Sequence, residues 1–136
     1  MTEPSATVRM QAAQAFAMRL GHRDIDQAMH YLSPNVVYRV PGRHALAGSF
    51  HGVDAVLAHL LEFADRSGGT FDAYKFEDWL ASENTVAAVL DAHLQGHGAS
   101  VSERMIFLLG FDASDRIAAV SVFFENEDSI ERFIGV

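Results

Sequence analysis

Asp91 and His93 stand two residues apart in the run Thr85–Gln95, whose alternating apolar residues read as a β-strand. Residues i and i+2 of a strand share one face, so the carboxylate and the imidazole lie side by side. An Asp that orients a His is a general acid/base arrangement, because imidazole changes charge near neutral pH. If His97-Gly98 forms a two-residue hairpin loop, Asp91 faces Arg104, His93 faces Ser102 and Leu90 faces Met105. Two placements are then open. With Met105 and Phe107 turned toward a pocket, Asp91, His93 and Arg104 fall on the outer face as a cross-strand ion pair worth about 0.2–1 kcal/mol. A one-residue slip turns the same three inward, where they can move protons.

Tyr38 is the third candidate catalytic residue. It sits in the strand-like run Val36–Val40, which Pro41-Gly42 stops. If Val40 points inward, alternation turns Tyr38 inward and Arg39 outward. A buried phenol normally takes a hydrogen-bond partner, which makes Tyr38 the best polar contact for a ligand. His44 and His51 lie on the following loop, near the expected pocket mouth, whereas His22, His30, His59 and His97 read as surface or turn residues. No His pair shows the i, i+4 spacing on a helix with the carboxylate that a zinc-protease motif needs, since His93 and His97 straddle a turn, and no phosphate loop, nucleophile elbow or dinucleotide fingerprint occurs. No metal and no cofactor are expected.

The elements that must position these groups come from periodicity. A first helix runs from a Ser5 cap to Gly21, with Val8, Ala12, Ala13, Phe16, Ala17 and Leu20 on one face. Asp24 caps a second, with Ile25, Ala28, Met29 and Leu32 inward, ended by Ser33-Pro34. A third spans Val53 to Arg66, with Val53, Val56, Leu57, Leu60, Leu61 and Ala64 inward, and Gly68-Gly69 closes it. From there the period becomes two: Phe71–Leu80, with a slip near Tyr74 that implies a bulge or bend, then Thr85–Gln95, Ala99–Phe111 and Ile117–Phe124. A short helix, Ser129–Phe133, ends the chain.

Composition agrees with one compact domain over residues 1–136. Hydrophobic residues at 49% against 21% charged argue against disorder. A net charge of −8 argues against nucleic acid and anionic membrane surfaces, both of which reward clustered Lys and Arg. No apolar run approaches the roughly 18–20 residues of a membrane span, and Met1–Arg9 lacks the apolar centre of a signal peptide. With no cysteine there is neither a disulfide framework nor thiolate chemistry. A cytoplasmic protein is expected.

Helices followed by a mainly antiparallel sheet, with several local marks in order, give the chain a relative. Gly21-His22-Arg23-Asp24-Ile25, Val37 to Gly42, Leu46-Ala47-Gly48 with Gly52, Gly110-Phe111-Asp112 through Arg116-Ile117, and Phe133-Ile134-Gly135 together resemble the SnoaL-like branch of the NTF2-like fold. That branch includes ketosteroid isomerases, polyketide cyclases, scytalone dehydratase and limonene epoxide hydrolase. The resemblance covers nearly the whole chain. It implies an α+β cone, N-terminal helices packed in a strongly bent sheet, and a homodimer joined through the outer face of that sheet.

The resemblance also tests activities residue by residue. The tyrosine, the base and the neutral aspartate of ketosteroid isomerases fall on Phe16, Val40 and Phe107, so that mechanism lacks its base and its oxyanion donors. The epoxide hydrolase would need an Asp-Arg-Asp set, of which Asp91 and Arg104 supply at most two, in the inward register. What is expected is an apolar pocket walled by Phe16, Tyr38, Val40, Leu57, Phe107 and Phe124, with Trp79 closing the rim. Its ligand would be a small hydrophobic or polycyclic molecule. Two classes of function remain: acid/base chemistry of the cyclase, isomerase or dehydratase type, and ligand binding without chemistry.

Overall fold

The structure is a computed structural model that describes residues 5–22, 24–66, 74–96 and 99–134. Several expected features lie outside these residues: Arg23, the Gly68-Gly69 stop, the strand start at Phe71, the His97-Gly98 loop and Gly135. In chain order come α1 (Ser5–Gly21), α2 (Ile25–Ala28) with a 3-10 turn (Met29–Tyr31), β1 (Leu32–Val40), β2 (Gly48–His51), α3 (Val53–Arg66), β3 (Tyr74–Ala81), β4 (Thr85–Gly96), β5 (Ala99–Phe111), β6 (Ile117–Phe124) and α4 (Glu127–Ile134). The strands form one sheet ordered β2-β1-β6-β5-β4-β3, antiparallel throughout except for the parallel β1–β6 pair.

The sheet has one buried face, and strict alternation decides which residues it carries. Val86, Ala88, Leu90, Ala92 and Leu94 of β4 point inward, opposite Met105, Phe107 and Leu109 of β5 and Val120, Val122 and Phe124 of β6. α1 covers the β3–β4 side and α3 the β1–β2 side. Phe16 and Leu20 of α1 and Val56 and Leu60 of α3 fill the space beneath, all at most 3% exposed.

Three boundaries differ from the sequence reading. The second helix ends early, and Ser33-Pro34 open β1 instead of closing a helix. Proline at the start of a strand removes no ladder donor the sheet requires, so the chain extends there. The segment before α3 pairs as β2, with Tyr38 opposite Phe50 and Val40 opposite Gly48, although four residues with a leading glycine carry little strand signal. The expected slip near Tyr74 is a bulge between Phe76 and Asp78. It lets Phe76 and Trp79, three apart, both turn to the inner side, where their rings stack at 5.3 Å.

Arg9 fastens α1 to the end of the sheet. Its guanidinium donates to Asp115 Oδ1 at 2.7 Å, to the Glu83 carbonyl, to Asn84 Oδ1 and to the Asp112 carbonyl. Two turns that close separate hairpins thus meet one side chain, itself only 12% exposed. Arg9→Ala should destabilise the fold by about 1–3 kcal/mol in urea unfolding, because it strands polar groups at both turns. Arg104→Ala, which breaks an exposed pair with Glu77, should cost clearly less, because solvent screens that pair. Equal costs for the two would refute the staple.

Candidate functional site

A cavity of about 20 Å³ lies between α3 and the buried face of β1, β5 and β6. Its walls are Tyr38 and Val40 from β1, His59, Leu60 and Phe63 from α3, Met105 and Phe107 from β5, and Val122 and Phe124 from β6. That volume holds about one water molecule. The lining is apolar apart from two rings. Tyr38 is 3% exposed and His59 4% exposed, with their ring centroids 5.4 Å apart. His59 also stacks on Phe50 of β2 at 4.1 Å and meets the Phe63 ring at a tilt of 48°, with centroids 6.5 Å apart.

His59 is a correction to the sequence reading, which placed it on the surface. The buried stripe of α3 is Val56, His59, Leu60 and Phe63, an i, i+3, i+4, i+7 pattern that contains the histidine. Leu61, expected inward, falls outside this stripe and is 51% exposed. The stripe is legible in the sequence once an imidazole is allowed among the apolar positions. Burial is the main cause that lowers the His59 pKa, with nearby His44 adding to it, and the result is about 4. At neutral pH the ring is uncharged and has one donor and one acceptor nitrogen.

Of the expected walls, Tyr38, Val40, Phe107 and Phe124 line the cavity. Phe16 does not, because it is wholly buried in the core. Leu57 is half-buried on the flank of α3, and Trp79 is half-buried at the far side of the sheet against Phe76. The motif-matched position of Phe16 thus falls in packed core, and Trp79 sits on an edge strand away from any rim of this cavity.

Asp91 and His93 occupy the opposite face of the sheet. The expected register holds: Asp91 pairs with Arg104, His93 with Ser102 and Leu90 with Met105. Since Leu90 and Met105 are buried beneath the helices, the alternation turns Asp91, His93 and Arg104 outward, and the inward placement is corrected. There His93 Nδ1 lies 2.6 Å from Ser102 Oγ, and Arg104 donates to Glu77 at 2.6 Å. Glu77 and Asp91 hydrogen-bond each other, which pushes the Asp91 carboxyl up and the Glu77 carboxyl down from their usual values. The sheet separates this network from the cavity.

A second polar group lies near the cavity without lining it. The loop after β1 tucks His44 beneath α4, where it is 4% exposed. The Arg43 N–H donates to Glu131 Oε1 of α4 at 3.0 Å, and His44 Nδ1 accepts the Leu46 N–H at 3.2 Å. Burial lowers the His44 pKa more than nearby Glu131 and the Pro41 carbonyl raise it, and burial raises that of Glu127. His44 was expected at the pocket mouth on an open loop. The structure brings it close enough to His59 to affect its charge. Among the described residues no three His, Asp, Glu or Cys side chains gather as a metal site. No described helix is long and apolar enough to cross a membrane.

A SnoaL-like domain profile matches residues 13–120, most of the chain, from the middle of α1 to the middle of β6. The chain belongs to the SnoaL-like family. An uncharacterised protein of Mycobacterium tuberculosis is 33% identical to this SnoaL-like chain over 111 residues, 81% of this chain and 83% of the relative. An NTF2-like protein from Burkholderia pseudomallei superposes with a TM-score of 0.78 at 16% identity, over 95% of this chain and 98% of that one. TerC, co-crystallised with polyporic acid, superposes with a TM-score of 0.81 at 14% identity, over 93% and 98%. At such identities the likeness carries the NTF2-like fold and no chemistry.

The buried histidine ties the SnoaL-like chain's stability to pH. An unfolded His59 takes up a proton near its usual 6.5 and the folded one near 4, so the unfolded state binds more protons between these values. Its contribution is complete above about pH 6.5 and is lost as pH falls toward 4, by up to about 3 kcal/mol. Urea midpoints measured from pH 7.5 down to 4.5 should fall, and His59→Phe should flatten that slope. A wild-type midpoint constant over this range would contradict the burial of a neutral ring.

Proposed function

We propose that the chain binds a small hydrophobic molecule carrying one polar group in the cavity between α3 and the buried face of the sheet. The observation that carries this reading is the pairing of His59 with Tyr38, one neutral imidazole and one phenol in an otherwise apolar lining. Sites for small molecules are mostly apolar with a few placed polar groups, because the apolar wall supplies affinity and the polar groups supply orientation. The free cavity of about 20 Å³ is smaller than any such ligand. Binding therefore requires side chains to move, and Phe63 and Phe124, at 9% and 8% exposure the least buried residues of the lining, border the way in. TerC, which shares the fold, was crystallised with polyporic acid, a precedent for a ligand in this architecture.

Acid/base chemistry is the second reading, and His59 favours it. A neutral imidazole within a closed apolar space can take a proton from a bound molecule, while Tyr38 donates a hydrogen bond to the charge that develops. Ketosteroid isomerisation has no support, since Phe16, Val40 and Phe107 are apolar and buried where its polar groups would stand. A fluorescent hydrophobe titrated into the purified protein should bind, and Tyr38→Phe should weaken it by about 0.5–1.5 kcal/mol. His93→Ala should leave affinity unchanged. His59→Phe separates the two readings: retained binding with lost turnover supports chemistry, and no turnover in the wild type leaves binding alone. Unaltered affinity in both Tyr38→Phe and His59→Phe would remove the cavity from consideration.

We also propose a homodimer joined through the outer face. Leu80, Ile106, Leu108 and Phe123 there are 38–55% exposed, and the ladder sets Ile106 beside Phe123 and carries the row across β3 to β6. Burying such a row in a second copy removes an apolar patch from water. Sedimentation equilibrium at micromolar concentration should give a dimer that Phe123→Glu dissociates. A monomeric wild type would refute it.

A further inference from the structure

Two side-chain atoms are buried without a hydrogen bond among the described residues: Nε2 of His44 and Oε2 of Glu127. They come from different elements, the loop after β1 and the first turn of α4, and they meet over Gly42. A Cβ built on Gly42 would lie 2.8 Å from Glu127 Oε2 and 3.5 Å from His44 Nε2. Glycine keeps a side chain out of the space beside both atoms. Its φ of +113° is also one that other residues resist, so two constraints act on the same position.

The hydrogen-bonding character of each atom follows from its surroundings. Because Nδ1 of His44 accepts the Leu46 N–H, a neutral ring must carry its hydrogen on Nε2. The Pro41 carbonyl is near but makes no hydrogen bond to that nitrogen. Glu127 Oε2 presents lone pairs. A buried donor and a buried acceptor are costly to leave unmade, and here they face one small gap.

We propose that His44 and Glu127 form a binding site for one hydroxyl group, which accepts from Nε2–H and donates to Oε2. A hydroxyl is the smallest group that does both. The site lies near the cavity without lining it: His44 influences the charge of His59, the Phe124 backbone N–H supports the Glu127 carboxylate, and His59 and Phe124 both line the cavity. Two sources offer the same chemistry, a water molecule and a small alcohol reaching in from the cavity. The site rests on the two unpaired atoms and not on what the cavity binds.

A crystal structure of the purified full chain, sharp enough to show ordered water, tests the pair in the absence of any ligand. One oxygen within about 3 Å of both Nε2 and Oε2 is expected. It should persist in Glu127→Gln and be lost in Glu127→Met. Crystals soaked in cyclohexanol separate the sources: replacement of that oxygen by the alcohol's own assigns the site to a ligand hydroxyl, and its persistence assigns the site to water. A gap with no oxygen, a direct bond between Nε2 and Oε2, or an oxygen that survives Glu127→Met overturns the proposal.

Discussion

The antiparallel ladder between β4 and β5 is the constraint on which the other placements depend. Side chains alternate across a sheet with a period of two, so one register assigns every residue of both strands to a face. With Leu90 opposite Met105, the apolar set of both strands lies under the helices and the Asp91, His93, Arg104 and Glu77 network lies in water. β6 takes its register from β5, and β1 from β6, so the same choice propagates to Val122, Phe124, Tyr38 and Val40. A slip of one residue would bury the charged network and expose Leu90, Met105 and Phe107. The free energy of removing those side chains from water, roughly 1.5–3 kcal/mol each, makes that alternative untenable.

Polar groups on the two faces behave differently for the same reason. On the outer face Asp91 and Glu77 remain solvated, share a hydrogen bond and lean on Arg104, and their pair energies are small. On the inner face burial leaves His59 little support for a charge, so it stays neutral, stacked on Phe50 and tilted against Tyr38. Burial does to His59 what no neighbouring group could do as cheaply: it turns a group that titrates near neutral pH into a fixed hydrogen-bonding element. A histidine so held gives an apolar cavity its chemical polarity.

The loop after β1 and the helix after β6 form the end of the sheet nearest the cavity. Gly42 permits the loop to fold over, and Glu131 holds Arg43 to α4 while His44 goes beneath. The segments that follow both strands of the parallel β1–β6 pair are thereby joined. The fold concentrates its histidines His44 and His59 there, although they are 15 positions apart and on elements of different type.

Much of this architecture can be read from the chain because local patterns and the global fold agree. The stripe Ala13, Phe16, Ala17, Leu20 makes α1, alternation makes β4 to β6, and the family marks order them into an NTF2-like fold. The hairpin register was also legible, since a two-residue loop admits few pairings, but which face of that hairpin met the helices was not. That choice depends on the summed burial of residues contributed by β5, β6 and α1, which no single segment contains. The site followed the same division. Tyr38 and Val40 were legible by alternation, whereas the depth of His59, the descent of His44 under α4 and its approach to Glu127 arise from contacts between residues up to 88 positions apart. Local sequence determines which way a side chain points along its own element; only packing between elements decides whether it meets water, and so whether an imidazole is a surface group or part of a binding site.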